Sequence, residues 1–359
     1  MGSDVVYADF TQIIVCTGKT NLADASTYVN YLVDTLQKNE LFKWIDLTPR
    51  QYWGQLLFMD GENFGGVLLD AEESVQMHWN MALYLTPHAL EEFEILIAKF
   101  LLLAYQRNRD QYLEAQKAGT ALPLQKQRDT MTTFLNVLVT ETLTSDSMKA
   151  VQRVESVDQT TPFPVLAGSH LNLTNPALEF VKTLCHVLHL DEDIKHAIDI
   201  LKGQLLRLVG VRDFSPESQW QNPSLVFVLH DVICEACNKV ADLDLCRNPT
   251  LTTDEVSVDE RWRCTCGNQY NLGTIEHRLV DQVEALFTKS QLQDLRCTKC
   301  GSIKVDNLRE YCDCSGRFEC SEAKPEELLK QLNVYKRVAQ WHKMEWLLEV
   351  TTSLEQLTL

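Results

Sequence analysis

Eight of the chain's twelve cysteines fall into four tight pairs in its last third: Cys234/Cys237, Cys264/Cys266, Cys297/Cys300 and Cys312/Cys314. A spacer of one or two residues lets neighbouring sulfurs converge on one ion from a tight turn, and two such pairs complete the four thiolates of a tetrahedral site. The pattern reads as two metal sites in sequence. A disulfide framework would suit a short secreted domain, and no basic segment followed by an apolar stretch opens the sequence, so a reducing compartment is expected. The longest apolar stretch, residues 93–105, is interrupted by Lys99 and is too short to span a bilayer, which points to a soluble intracellular protein with no membrane contact.

At 359 residues and 45% hydrophobic composition the chain can bury a large core, spread over two or three domains. Its net charge of -17 argues against wrapping the whole surface on a polyphosphate backbone, because each phosphate contact calls for Lys or Arg. Any nucleic-acid contact has to be local.

Along the chain, short apolar runs alternate with turns up to about residue 85. Val5, Val6 and Tyr7, then Ile13, Ile14 and Val15, predict a β-hairpin with β-branched arms. A hairpin so near the first residue reads as the opening of a fragment of something longer. Thr86 and Pro87 predict a helix start with Thr86 as the cap, and Leu90, Phe93, Ile97 and Leu101 share one face. Asn175-Pro176 repeats the signal, and a further helix is expected over residues 191–208. Residues 119–124 and 158–169 read as loops. Ile275, Leu279, Val283 and Leu286 form a helical stripe between the two cysteine modules. Pro325 opens a last helix carrying Leu328, Leu332, Tyr335 and Ala339 on one side.

The second module, Cys297-x2-Cys300-x11-Cys312-x-Cys314, is a four-thiolate site on spacing alone. The first is less regular, because only one residue separates Cys264 from Cys266, and Cys246 or His230 is an alternative ligand there. Cys16, after a strand, and Cys185, on an apolar helix face, read as small buried hydrophobes, and Cys320 as a lone cysteine lying near the second module. His186 and His189 have no evident carboxylate partner and read as non-catalytic. Glu91-Glu92 and Asp191-Glu192-Asp193 read as solvated faces and helix starts.

Val232-Ile233-Cys234-Glu235-Ala236-Cys237, Asp242-Leu243-Asp244-Leu245-Cys246, Trp262-Arg263-Cys264-Thr265-Cys266, Leu295-Arg296-Cys297-Thr298-Lys299-Cys300 and Tyr311-Cys312-Asp313-Cys314 belong to one pattern with two stretches that contain no cysteine. These are Phe163-Pro164-Val165-Leu166-Ala167-Gly168-Ser169-His170 and Asn175-Pro176-Ala177-Leu178-Glu179-Phe180. Together they resemble the C-terminal part of the DNA polymerase epsilon catalytic subunit family, a tandem of two B-family polymerases whose second copy has lost its chemistry. The resemblance implies an α+β, mostly helical fold. Its parts would be a partial degenerate palm (1–85), a helical thumb-like region (86–225), a cysteine-rich domain of two metal-stapled modules (226–320) and a terminal helix (321–359).

In active family members a Tyr-Gly-Asp-Thr-Asp-Ser turn helps hold two divalent ions. The corresponding Tyr7-Ala8-Asp9-Phe10-Thr11-Gln12 keeps Asp9 but has Thr11 in place of the second carboxylate, and a neutral hydroxyl is a poor Mg²⁺ ligand. Neither does Asn63-Phe64-Gly65-Gly66-Val67 offer the family's Lys-x-Tyr. The resemblance thus implies a chain that polymerises nothing by itself and acts in the nucleus as a scaffold for the replicative helicase and the polymerase B subunit, touching DNA only within the holoenzyme. It leaves the second module's cofactor between zinc, which is favoured, and a 4Fe-4S cluster, since four thiolates suit both.

Three competing readings carry less. Sequence-independent DNA binding would rest on Arg261, Arg263, Lys289, Arg296 and Lys299, which sit among acids without interleaved aromatics. A ubiquitin-ligase RING needs interleaved pairs, whereas a helical stretch separates Cys266 from Cys297. An active polymerase meets the objection at Thr11.

Overall fold

Phe93, Ile97, Phe100, Leu101 and Ala104 recur at helical spacing, and all five are fully buried. They lie on the long helix α2 (Pro87–Ala118) that organises the first of two compact units. The computed structural model describes residues 3–9, 12–19, 21–42, 44–69, 74–118, 124–158, 160–247, 262–264, 266–305, 309–320 and 325–358. The first unit comprises Met1–Pro164 and Asn172–Gln221, the second Val165–Leu171 and Asn222–Leu359.

The first unit opens with an antiparallel hairpin, β1 (Asp4–Ala8) and β2 (Ile13–Cys16), in the register Asp4↔Cys16 to Ala8↔Ile13. Helix α1 (Leu22–Gln37) follows, its N-terminus capped by Asn21 Oδ1, which accepts the Ala23 N–H at 2.9 Å. A three-stranded antiparallel meander comes next: β3 (Trp53–Asp60), β4 (Asn63–Leu68) and β5 (Val75–Trp79). Its inner residues Leu57, Val67 and Trp79 join the same hydrophobic cluster as α2, and the Trp79 ring meets Phe93 edge-on at 6.3 Å. Gly66 is a close-approach position, since a Cβ there would collide with the Gln55 carbonyl oxygen.

The start of α2 differs from the sequence expectation. Thr86 does not cap the helix with its hydroxyl; Thr86 Oγ1 donates to Asp158 Oδ2 at 2.6 Å, and the same carboxylate oxygen accepts the Ala89 N–H at 3.2 Å. A carboxylate is the stronger acceptor and suits the positive end of the helix dipole, so it displaces the local hydroxyl. Glu92 is likewise no solvated residue. Its side chain is 7% exposed and takes a bidentate pair from Arg153 Nε and Nη2, both at 2.6 Å.

Arg153 sits on α4 (Thr144–Val157), which continues from α3 (Leu124–Val137) through a single π turn, Leu138–Leu143. Residues 119–123 of the expected loop lie outside the described residues. Helix α5 (Pro176–Leu188) starts as anticipated, with Pro176 in its first turn and Asn175 Oδ1 accepting the Leu178 N–H at 3.1 Å. A 3-10 turn, Glu192–Ile194, precedes α6 (Lys195–Leu208), so the expected helix over 191–208 is two pieces. Phe180, Val181, Leu184, Ile198 and Leu205 from these helices complete the cluster.

The second unit pairs β6 (Val228–Ile233) with β7 (Val240–Asp244), then runs through α7 (Leu272–Gln291), the short antiparallel pair β8 (Leu295–Cys297) and β9 (Phe318–Cys320), and two helices. Where one terminal helix was expected there are α8 (Pro325–His342) and α9 (Glu345–Thr358). The break falls at Lys343, whose φ of 57° is left-handed and cannot continue a right-handed helix. The apolar stripe of α8 is buried within its own unit. Leu328, Leu332, Val338 and Ala339 are buried with Ile275, Leu279 and Val283 of α7 and Leu347 of α9. His342, fully buried, places Nε2 2.9 Å from the Leu245 carbonyl oxygen and ties α8 to the end of β7.

Asp158 satisfies a hydroxyl and a helix N–H in a buried setting, so Asp158→Ala is expected to destabilise the first unit by about 2 kcal/mol, with Asp158→Asn in between. Urea denaturation followed by circular dichroism measures this, and an unmoved midpoint for Asp158→Ala would refute it.

Candidate metal centres

Each cysteine pair sits on a turn closed by its own backbone. In the two pairs with a two-residue spacer the first cysteine's N–H donates to the carbonyl five residues on, Cys234 to Lys239 at 2.9 Å and Cys297 to Ser302 at 2.9 Å. In the two with a one-residue spacer the ring is one residue shorter, Cys264 to Asn268 at 2.8 Å and Cys312 to Gly316 at 2.9 Å. The residue after every second cysteine is left-handed: Asn238, Gly267, Gly301 and Ser315, with φ of 56°, 86°, 72° and 62°. That conformation turns the chain back so that both sulfurs face the same point, and Gly and Asn are the residues that adopt it at least cost. The Cys-Gly and Cys-Asn pairs were a readable signal of these turns that spacing alone did not use.

The turns assemble two clusters in sequence: Cys234, Cys237, Cys264 and Cys266, then Cys297, Cys300, Cys312 and Cys314. Within each, all four sulfurs lie within 4.8 Å of one another. Sulfur–sulfur separations include 3.7 Å for Cys234–Cys266 and 3.5 Å for Cys237–Cys264 in the first, 3.4 Å for Cys297–Cys314 and 3.5 Å for Cys300–Cys312 in the second. Four thiolates around one zinc ion at its usual bond length stand about 3.8 Å apart, so the donor set fits a single tetrahedral ion. The two modules are built alike, and the one-residue spacer of Cys264-x-Cys266 recurs at Cys312-x-Cys314.

Metal binding requires thiolates. The Cys264 thiol is lowered to about 6, first by its hydrogen bond from the Cys266 N–H. Cys300 is lowered to about 6, first by the Ser302 hydroxyl. Cys314 moves the other way, up to about 12, because it faces Cys297 and Cys300. Clustered sulfurs cannot all ionise without a cation among them.

The surroundings differ. Cys234 and Cys264 are buried in a hydrophobic cluster with Leu229, Val232, Trp262, Tyr270 and the inner face of α7. The second module has no such support: among the described residues of 295–320, Cys297 is the only buried hydrophobic one. Gly316 packs directly on the Cys297 sulfur, where a Cβ would collide with it.

Other candidates fall elsewhere. Cys246 lies outside the first cluster, its buried thiol pushed up to about 12 and its sulfur 3.7 Å from the Ala167 carbonyl. His230 Nδ1 pairs with Asp242 at 2.9 Å. Cys185 is buried, with a thiol pushed up to about 12 by desolvation, whereas Cys16 is exposed, so the buried reading holds for the first and not the second; Cys320 lies near the second module as expected, half-buried on β9, the strand paired with the one that carries Cys297. His189 does have a carboxylate partner, Asp199 at 2.9 Å, and His186 stacks on Trp220 with ring centroids 3.6 Å apart. Asp9 sits at the hairpin turn, where Oδ1 accepts the Gln12 N–H at 2.7 Å and Oδ2 the Tyr7 hydroxyl at 3.0 Å. That bond is the first cause of the raised Tyr7 pKa. Phe10, Thr11 and Arg261 lie outside the described residues. No helix among the described residues is long and apolar enough to cross a membrane.

Comparison with known proteins agrees with this geometry. Two family models described as zinc finger domains of DNA polymerase-epsilon match residues 217–289 and 291–349, one per cysteine module, and a domain of unknown function (DUF1744) matches residues 1–67. The DNA polymerase epsilon catalytic subunit of Arabidopsis thaliana is 29% identical over 97% of this chain, that of Saccharomyces cerevisiae 29% over 99%, and that of Debaryomyces hansenii 30% over 97%. The chain spans 16% of the length of each of these relatives.

Gly316→Ala is expected to displace the Cys297 sulfur and cost one of two metal equivalents per chain, as is Cys297→Ser; elemental analysis reads this, and full occupancy in both variants would refute it. Chelation is expected to abolish hydrogen-exchange protection throughout residues 295–320 while α7 and α8 keep theirs, because only the first module has a hydrophobic cluster to fall back on. Equal loss in both regions would count against that asymmetry.

Proposed function

We propose that this chain, which is similar along nearly its whole length to the C-terminal region of DNA polymerase epsilon catalytic subunits, is a non-catalytic, zinc-stapled scaffold acting in nuclear DNA replication. The observation that carries the reading is the pair of closed four-sulfur clusters. A catalytic zinc keeps a coordination position open for water or substrate, whereas four converging thiolates leave none. The chemistry such an ion supplies is mechanical: it neutralises the thiolates and locks two turns together. Zinc is favoured over a 4Fe-4S cluster in the second module, because a cluster sets its iron atoms between the thiolates and holds them farther apart than a single ion does. The separations of 3.4 and 3.5 Å support one ion.

On this reading β1 and β2 are the remnant of a B-family palm. Both Asp9 oxygens are engaged within the hairpin, which suits a turn-forming role better than a metal-binding one. The surface presented by the cysteine modules docks the polymerase B subunit, and the first unit braces the holoenzyme against the replicative helicase. The apolar stripe of α8 cannot serve that docking, being buried within its own unit. The contacts then come from exposed residues around the modules, including Ile233, Ile303, Val305 and Tyr311. The acidic balance suits protein partners better than DNA.

The full chain is expected to co-purify with the B subunit, and a truncation ending at Ser224 is not; undiminished binding by the truncated form would place the interface in the first unit and sink the assignment. Primer extension is expected to stay at background with any template, nucleotide mixture or divalent ion. Robust extension that vanishes in Asp9→Ala would overturn the non-catalytic reading, and salt-sensitive binding of single-stranded DNA by the full chain would favour the DNA-binding alternative.

A further inference from the structure

In the second module, Ser302 lies where the two cysteine turns meet. Its Oγ is 3.0 Å from Cys300 Sγ, on its own turn, and 3.3 Å from Cys312 Sγ, on the facing one. The position is set by the backbone. Gly301 is left-handed, the Ser302 carbonyl accepts the Cys297 N–H at 2.9 Å, and an isolated bridge between Arg296 and Ile303 holds the following residue. The hydroxyl of this exposed residue is thereby returned over the two sulfurs. A thiolate bound to an ion has no proton to give, so the hydroxyl is the donor and its single proton lies between two acceptors. Such a bond withdraws charge from the sulfur and makes it less prone to take up a proton and leave the ion.

The first module has the same device in a different residue. Asn268, on the second turn, directs Nδ2 to Cys234 Sγ, on the first, at 3.7 Å. There the two turns are also held together by the hydrophobic cluster around Trp262 and Tyr270. In the second module, where Cys297 is the only buried hydrophobic among the described residues, the polar clasp carries more of the task.

We propose that Ser302 is a positioning residue of the second module: its hydroxyl clasps the Cys300 and Cys312 thiolates across the two turns and sets how fast this site releases its ion. The inference rests on the zinc reading above. The test uses the full chain. Zinc content is measured first, then zinc release to a chromogenic chelator, with the phase belonging to the second module identified by its absence in Cys297→Ser. Ser302→Ala is expected to bind two zinc ions when saturated but to release the second-module ion roughly tenfold faster, and to show faster alkylation of Cys300 by iodoacetamide. Ser302→Thr, which keeps the hydroxyl, is expected to restore both rates. Two bound zinc ions with release and alkylation in Ser302→Ala unchanged from the parent chain would overturn the clasp alone. A parent chain that takes up no zinc would overturn the zinc reading, and the clasp with it.

Discussion

Four sulfurs gathered within 4.8 Å of one another set the terms for the whole second unit. Ionised thiolates repel at that distance, and protonated ones attract only weakly, so the arrangement is stable around a cation and poorly stable without one. Each cluster joins two turns that are distant in sequence, Cys234 to Cys266 and Cys297 to Cys314. The intervening chain need not carry its own core to keep those turns together. The turns of the first module also pack into a hydrophobic core, in which Leu229, Val232 and Trp262 cluster with residues of α7, α8 and α9. In the second, the described residues show the turns, a three-residue strand pair and one buried hydrophobic residue, Cys297.

The first unit is held by different physics. Phe93, Phe100, Ile97 and Phe180 are removed from water entirely, and burial of each such side chain contributes about 1.5–3 kcal/mol. Against that background the buried polar groups act as locators. Asp158 fixes where α2 begins, and Glu92 with Arg153 sets how α2 and α4 face each other. Arg153 remains half exposed, so the pair's Coulomb gain is screened and its main effect is geometric, through two parallel bonds that only one orientation allows.

This contrast bears on function. A unit with a continuous apolar core keeps its shape without cofactor, whereas one whose tip depends on bound ions presents its surface only when they are in place. Ile303 and Val305, exposed apolar side chains just after the Cys297–Cys300 turn, belong to the module that has the smaller apolar support.

Short-range chemistry was legible in the sequence. The four cysteine pairs, the Asn175-Pro176 helix start, the opening hairpin and the α7 stripe all depend on residues within one or two turns of each other, and each appears where spacing put it. The left-handed Asn238, Gly267 and Gly301 could have been read the same way, whereas Ser315 carries no such signal in its residue type. What only the tertiary structure decided are matters of long-range partnership. Thr86 was a plausible cap until Asp158, 72 residues away, supplied a stronger acceptor. Glu92 looked solvated until Arg153, 61 residues on, buried it in a bidentate pair. Cys246 and Cys266 were equal candidates by type, and the fold set one beside the Ala167 carbonyl and the other among the sulfurs. Local propensity depends on neighbours along the chain, whereas hydrogen-bond partners and burial depend on neighbours in space, and those exist only once the core has closed.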